Sequence, residues 1–428
     1  MPRRSIAVIR RVFGPILLLW WPAISAQPDG GAQELFANHH ASVMQIRVMD
    51  NAANNKSSTG SGFLVDDEGM IATNYHVIAS AIDAPDKYRI ELLLGDESVL
   101  VAKVKNVNVV SDLALLQVEL PGAVALALAT KASLKGDTVY SIGFPYDLGI
   151  TVIPGTYNGL APHSAANRVH FSGSLNAGMS GGPAFNEEGE VIGVNVATAG
   201  NQMSFLVPVQ DLEDLMASST PDPQVPYSEL LVSQLQKNSQ RMISQLLDGD
   251  WQTVPLGGAQ ALDEVTDFLR CWGNSKDMND STDKRPFFAI RSCQTDHNIY
   301  VKQGLSTGKI ELQFYWLSST ELNSIQFYNH YESIFSRYRP GNTGRRQDLG
   351  NWSCEEEFVT ANNADNELTK SVFCARAYKK LKGIYDVLFL QGSVSRDEQA
   401  HMIHFTIAGT TQELALAFTE QFMESGIW

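Results

Sequence analysis

Asn176-Ala177-Gly178-Met179-Ser180-Gly181-Gly182-Pro183 is the stretch on which the reading of this chain turns. A serine stands among glycines, after a polar run and just ahead of Ala184-Phe185. Small residues let the backbone turn tightly and let a substrate carbonyl come close. A serine hydroxyl is a poor nucleophile until a base takes its proton. Gly-x-Ser-Gly also arises by chance in glycine-rich loops, so the stretch needs a histidine and a carboxylate elsewhere in the chain.

Both lie upstream. His76 follows Gly60-Ser61-Gly62-Phe63-Leu64-Val65 and Gly69-Met70-Ile71-Ala72-Thr73-Asn74-Tyr75, which read as a strand, an acidic turn and a second strand ending at the histidine. Asp112 sits in Val109-Val110-Ser111-Asp112-Leu113-Ala114-Leu115-Leu116, an acid just ahead of an apolar strand. The order His, Asp, Ser is that of the two-barrel chymotrypsin architecture and differs from the subtilisin and α/β-hydrolase orders. Five pieces then match together: GSGFLVDDEGMIATNYHVI, SDLALLQV, SIGFPYDLGITVIPGTYNGL, GMSGGPAFNEEGEVIGVNVA and MSFLVPV. With them, residues 35–215 resemble the HtrA/Deg group of trypsin-like serine proteases.

The resemblance implies a serine endopeptidase, a hydrolase with no cofactor and no metal. Ser180 would attack the scissile carbonyl. His76 would accept its proton, and Asp112 would hold the imidazole. Backbone N–H groups of Gly178 and Ser180, with Met179, would form the oxyanion hole. Taken singly, each residue has a plainer reading: a polar strand end, a turn cap, a loop serine. Met179 departs from the family, which usually has Asn before the serine; the digestive relatives have Asp. Without an acid there, activation by a freed N-terminus cannot operate. In this fold the residue six before the serine lies at the floor of the specificity pocket. Here it is Ser174, not an acid, so cleavage after Lys or Arg is not expected. The wall should include Val194, Asn195, Val196 and Ala197. Glutamate-specific relatives carry a histidine where Asn195 stands. Small or medium aliphatic residues are therefore expected before the scissile bond.

Of 428 residues, 44% are hydrophobic and 18% charged, which is globular material for two domains or more. Residues 1–26 read as a secretory signal peptide: Arg3, Arg4, Arg10 and Arg11, an apolar run from Val12 to Trp21, then Ala23-Ile24-Ser25-Ala26. The rival reading, an uncleaved anchor, has a short run broken by Pro15 and Pro22. A periplasmic or secreted protein with no stable membrane span after cleavage is expected. The net charge of −15 gives no reason to expect nucleic-acid binding. Polypeptide substrates, unfolded or exported proteins among them, are the expected partners.

Short apolar runs between turns give one barrel over residues 35–130, holding His76 and Asp112, and a second over 135–210, holding Ser180. Residues 216–226 form a proline-rich linker. Nothing beyond it matches a PDZ carboxylate-binding loop. Residues 227–428 are expected to form an α+β accessory domain that binds a protein partner, regulates the site or sets assembly. Apolar spacing predicts a helix over Tyr227–Leu247. Cys271, Cys293, Cys354 and Cys374 suggest disulfides in an exported chain; four cysteines allow three pairings, of which Cys271–Cys293 with Cys354–Cys374 is the local one. Zinc is the rival, but there is no Cys-x-x-Cys, and His401 and His404 should point to opposite faces of a strand. The region also reads as duplicated: Gln303-Gly304-Leu305-Ser306, a strand, Ser319-Thr320-Glu321 and a helix echo Gln391-Gly392-Ser393, a strand, Thr410-Thr411-Gln412-Glu413 and a helix. Two other functions fit the whole: a non-catalytic protease-fold binding protein or chaperone, and a protease confined to one dedicated partner.

Overall fold

The computed structural model describes residues 30–122, 124–200, 202–222, 224–276, 286–296, 298–338, 342, 344–360, 367–394 and 398–425, apart from the side chains of 197–199. The signal-peptide expectation lies outside the described residues. No helix among them is long and apolar enough to cross a membrane.

Helix α1 (Gly30–His39) leads into the first barrel. Its strands are β1 (Val43–Asp50), β2 (Asn55–Leu64), β3 (Met70–Thr73), β4 (Tyr88–Leu93), β5 (Val99–Asn108) and β6 (Leu113–Gln117). They close in the order β1-β2-β3-β6-β5-β4. Between β3 and β4 runs α2 (Tyr75–Asp83). The second barrel uses β7 (Thr138–Gly143), β8 (Thr151–Leu160), β9 (Val169–Phe171), β10 (Pro183–Phe185), β11 (Val191–Gly200) and β12 (Met203–Pro208). It closes as β10-β11-β12-β9-β8-β7. Two closed six-stranded antiparallel barrels are the chymotrypsin-like fold. Helix α3 (Val209–Ala217) follows the second barrel. Its Leu212 and Leu215 join Phe63 and Leu115 of the first barrel, and Ile142 and Phe185 of the second, in one apolar seam.

Beyond the linker, α4 spans Tyr227–Leu247, the range that the apolar spacing predicts. It docks along β5: Tyr227 donates its hydroxyl hydrogen to Val104 O (3.1 Å), and Gln234 bonds both Val107 O (2.7 Å) and Val109 N (2.9 Å). A small hairpin, β13 (Thr253–Leu256) and β14 (Ala259–Leu262), precedes the main sheet. That sheet is built from β15 (Arg270–Ser275), β16 (Phe287–Gln294), β19 (Ile310–Ser318), β20 (Ser353–Thr360), β21 (Leu368–Ala377), β22 (Tyr385–Ser393) and β23 (Gln399–Thr410). Its order is β15-β16-β19-β23-β22-β21-β20. Helix α6 (Gln412–Glu424) and the end of α4 cover one face, with Phe418, Phe422 and Ile243 on Phe389 and Phe405. Helix α5 (Ser324–Arg337) covers the other, with Phe327 and Tyr331 on Leu388 and Met402. Alternate residues of β22 and β23 thus serve opposite faces, as a pleated strand requires. Strands predominate, so the region is better described as β-rich than as the α+β domain expected. The caps also differ from expectation. Asn323 and Gln326 box the start of α5, because Ser319 is already spent closing its own turn to Glu321 and Leu322. Thr411 caps α6 as expected.

Cys271 pairs with Cys293 and Cys354 with Cys374, each directly across a hairpin. Each bond ties an edge strand of the sheet to its neighbour, where Trp272 and Phe358 are exposed. Unpaired edges invite association with other chains. With separations of 22 and 20 residues, each bridge should contribute about 3 kcal/mol by restricting the unfolded chain. Denaturant unfolding of a Cys354→Ser/Cys374→Ser variant should lose about that amount; an unchanged midpoint would refute the stapling.

The remaining hairpin, β17 (Ile299–Lys302) and β18 (Leu305–Thr307), leaves the sheet altogether. It packs on α2. Ile299, Val301 and Leu305 join Leu231, Leu235, Leu349 and Leu381 in the same apolar cluster as Met44, Ile46, Leu92 and Leu116 of the first barrel. The first barrel and the C-terminal region therefore share one core across the linker.

Candidate active site

His76 stands in the first turn of α2, not at a strand end as the sequence suggests. Asn74 precedes the helix in extended conformation, and its side-chain amide donates to Asp112 O (2.9 Å). Tyr75 N donates to the same carbonyl (3.2 Å). Asp112 has φ +60, a left-handed backbone that few non-glycine residues adopt. That turn aims its carboxylate at His76. Oδ1 accepts from His76 N (2.9 Å), and Oδ2 lies 2.7 Å from His76 Nδ1. Two bonds from one carboxylate fix both the position and the ring plane of the histidine. The ring remains 28% exposed. Its burial works against protonation, but the charge and hydrogen bond of Asp112 outweigh that and raise its pKa, with Arg168 opposing.

The serine loop sits against the end of β3, just before His76. A Cβ on Gly181 would fall 2.3 Å from Thr73 Oγ1 and 3.0 Å from Asn74 N. Ser61 N donates to Ser180 O (2.7 Å), and Ser61 Oγ donates to Gly178 O (2.7 Å). Gly178 has φ +98, and a Cβ there would meet Phe144 O at 2.3 Å, so only glycine fits. Ser180 Oγ donates to Val196 O (3.1 Å). Among the described residues it makes no hydrogen bond to His76. Val196 is the extra residue of a bulge in β11, between pairs Asn195–Leu206 and Ala197–Phe205, which turns its carbonyl out of the ladder.

Met179 has a physical explanation. Its side chain is fully buried among Val139, Phe171, Leu175 and Ile192 of the second barrel. It anchors the loop by packing into the core of the second barrel. Its N–H is used within the loop, donating to Asn176 O (3.0 Å). The N–H groups of Gly178 and Ser180 donate to nothing among the described residues. Asn195 also supports this loop. It is fully buried; its amide donates to Ile142 O (3.2 Å) and Met179 O (3.3 Å), and Ser141 Oγ donates to its Oδ1 (2.9 Å). With its amide committed inward, Asn195 braces the serine loop from beneath and has no polar group to offer a pocket. Ser174 is exposed ahead of the loop. Ala197 pairs with Phe205, but its side chain lies outside the described residues.

Several site residues carry no motif. Arg168, just before β9, is buried, and its Nε and Nη2 have no hydrogen-bond partner among the described residues. Burial lowers its pKa, while the charges of Asp112, Asp211 and Asp296 oppose the shift. It thus places a cation within the field of Asp112. Tyr75 donates its hydroxyl hydrogen to Val301 O (2.8 Å); burial, then the charges of Asp112 and Asp83, push its pKa far up, so the donor is retained. Tyr300 of β17 sets its ring edge-on to His76, with centroids 6.0 Å apart. Asp83 closes α2 by pairing with Lys302 (3.1 Å) and Lys380 (2.7 Å). The helix bearing His76 is thus gripped at both ends by the C-terminal region.

Two closed barrels, one bearing a histidine–aspartate pair and the other a glycine-bound serine, are the layout of a trypsin-like peptidase, and residues 60–194 match the model of the trypsin-like peptidase domain family. The chain is 34% identical over 173 residues to Serine protease HTRA1A of Danio rerio, covering 38% of this chain and 35% of that protein. It is 37% identical over 169 residues to the probable periplasmic serine endoprotease DegP-like of Hahella chejuensis, covering 37% of this chain and 35% of that protein. The crystal structure of the serine endoprotease from Yersinia pestis is 25% identical, aligned over 43% of this chain and 65% of that one, with a TM-score of 0.39. Over this part the chain is thus similar to HtrA-like, trypsin-like serine proteases. It spans about a third of the length of these two curated relatives.

Proposed function

We propose that the protein is an exported serine endopeptidase that cleaves polypeptides through an acyl-enzyme formed on Ser180. The observation that carries this is the pair of hydrogen bonds that His76 gives to the Asp112 carboxylate, through its backbone N–H and Nδ1, beside the glycine-bound serine loop. With its Nδ1 proton held by Asp112, His76 has Nε2 free to act as base. Ser180 Oγ leaves Val196 O by rotation about its side chain and presents its proton to Nε2. Its oxygen then bonds the scissile carbonyl carbon. The carbonyl oxygen gains the negative charge and is met by the N–H groups of Gly178 and Ser180. Protonated His76 passes its proton to the leaving amine as the C–N bond breaks, and water repeats the sequence on the ester. Val196 O, vacated by the serine, is left to accept an N–H from the substrate chain.

Ser174 brings no charge to the specificity pocket, which supports cleavage after small and medium aliphatic residues. Export is supported by the leader-like first 26 residues and by a relative described as periplasmic. The C-terminal sheet is proposed as an accessory domain for a protein partner. One observation favours a second reading, a latent or non-catalytic binding protein: the hydroxyl of Ser180 rests on Val196 O. Treating the oxidised protein with a fluorophosphonate probe and with casein separates the two. Labelling with digestion supports the endopeptidase, and a peptide library should then yield small or medium aliphatic residues such as Val or Ala before the cut. A library dominated by basic or acidic residues there would overturn the pocket assignment. Absence of labelling in folded protein would leave the binding reading.

A further inference from the structure

A cleft of about 460 Å³ opens beside His76, and its two walls come from different halves of the chain. Ser57 and Ser58 of β2, with Ser80 of α2, make the protease wall. Tyr300, Lys302, Gln303 and Arg345 make the other. We propose that this cleft holds the leaving-group side of a peptide substrate, and that Arg345 selects an acidic side chain there. The inference rests on the endopeptidase reading given above.

The side follows from the barrels. Ser174 and the outward carbonyl of Val196 belong to the second barrel, so the acyl half of a substrate lies over β11. The cleft lies against the first barrel, along β2, whose Ser61 bonds Ser180 O. A chain crossing Ser180 from β11 therefore leaves between α2 and the C-terminal wall. His76, which passes a proton to the departing amine, stands at the entrance.

Charge then singles out one residue. Lys302 is held by Asp348 (2.6 Å) and Asp83 (3.1 Å), and Lys87 on the protease wall faces Asp50 (3.6 Å). Arg345 has no carboxylate partner among the described residues. Its backbone is nonetheless fixed: its carbonyl accepts from Asp348 N (2.9 Å) and Leu349 N (3.1 Å), and the preceding Gly344 bridges to Leu305 of β18. Its side chain lies across the turn between β17 and β18, where a Cβ on Gly304 would meet Nε at 2.7 Å. A guanidinium held at its root and unpaired at its head suits a carboxylate, which it can bind through two parallel hydrogen bonds.

The test uses the full chain and peptides that share one acyl half but carry Glu, Ala or Lys at the first three positions after the cut. At low salt, Glu should raise kcat/KM by about fivefold over Ala at one of them, the upper range for an exposed ion pair. Arg345→Gln should erase that preference, and Arg345→Glu should reverse it towards Lys. Fluorophosphonate labelling, which needs no leaving-group peptide, should be unchanged in both variants. Binding of the same peptides to Ser180→Ala, followed by fluorescence anisotropy, should rank them the same way and lose its ranking in Ser180→Ala/Arg345→Gln. Equal rates and equal binding for Glu and Ala peptides, or a Glu preference that survives Arg345→Glu, would overturn the proposal. If the wild type neither labels nor cleaves, the endopeptidase reading fails, and the anisotropy ranking alone decides this one.

Discussion

Ser180→Ala is expected to abolish fluorophosphonate labelling and to cut casein hydrolysis by on the order of a millionfold, the cost of removing a nucleophile that works as part of a unit. The fold should survive it. Among the described residues Ser180 Oγ makes a single hydrogen bond, to Val196 O, and the loop is held by other groups: Ser61, Asn195 and the buried side chain of Met179. Thermal unfolding should therefore match the wild type while activity vanishes. Residual hydrolysis at the wild-type rate would mean that another group supplies the chemistry. Equal loss of activity and of unfolding temperature would mean that the variant reports damage to the loop and not the nucleophile.

Asp112→Asn is expected to lower kcat/KM by about 10⁴-fold, because the amide would hold the imidazole in the wrong tautomer. Asparagine tolerates the left-handed backbone at this position, so the turn itself should persist. The pH profile gives a second readout. His76 works as a base only when neutral. In the wild type, Asp112 holds its pKa above the ordinary histidine value of 6.5 against burial and Arg168. The acid limb of the rate profile should therefore have its midpoint above 6.5. In the variant the raising influence is gone, and burial and Arg168, both lowering, remain. The limb should then move to the acid side of 6.5. A limb that does not move would show that another group controls it.

Much of the protease half could be read in the chain because its motifs are local. Gly-x-Ser-Gly, the strand before His76 and the acid before β6 each lie within a few residues of the atoms they place. Alternation gave both barrels; the even cysteine count suggested disulfides but left three pairings open, and the structure sets each pair across a hairpin. Helix α2 was missed because it is nine residues long and follows an apolar strand, so its Val77, Ile78, Ala81 and Ile82 extend the strand's hydrophobic run. Asn195 was placed in the pocket wall by analogy; its inward face depends on Ser141 and Ile142, more than fifty positions earlier. Tyr300 and Arg345 have no local signature. Gln303-Gly304 looks like the counterpart of Gln391-Gly392, yet the first forms a turn standing on α2 and the second lies inside β22. Which hairpin stays in the sheet is decided by what waits beside it in space, and sequence similarity between the two stretches hides that difference.

The apolar cluster shared by the first barrel and the C-terminal region has a consequence for how this protein can be rearranged. Three prolines mark the linker as a place to cut and recombine. Grafting this peptidase onto another partner at that point would leave Ile46, Leu92 and Leu116 continuous with a surface from which Leu231, Val301 and Leu305 had gone. The joint visible in the sequence is therefore not a joint in the folded molecule. The two halves meet through a shared core, so moving the peptidase to another partner would require a new apolar surface to replace the one removed.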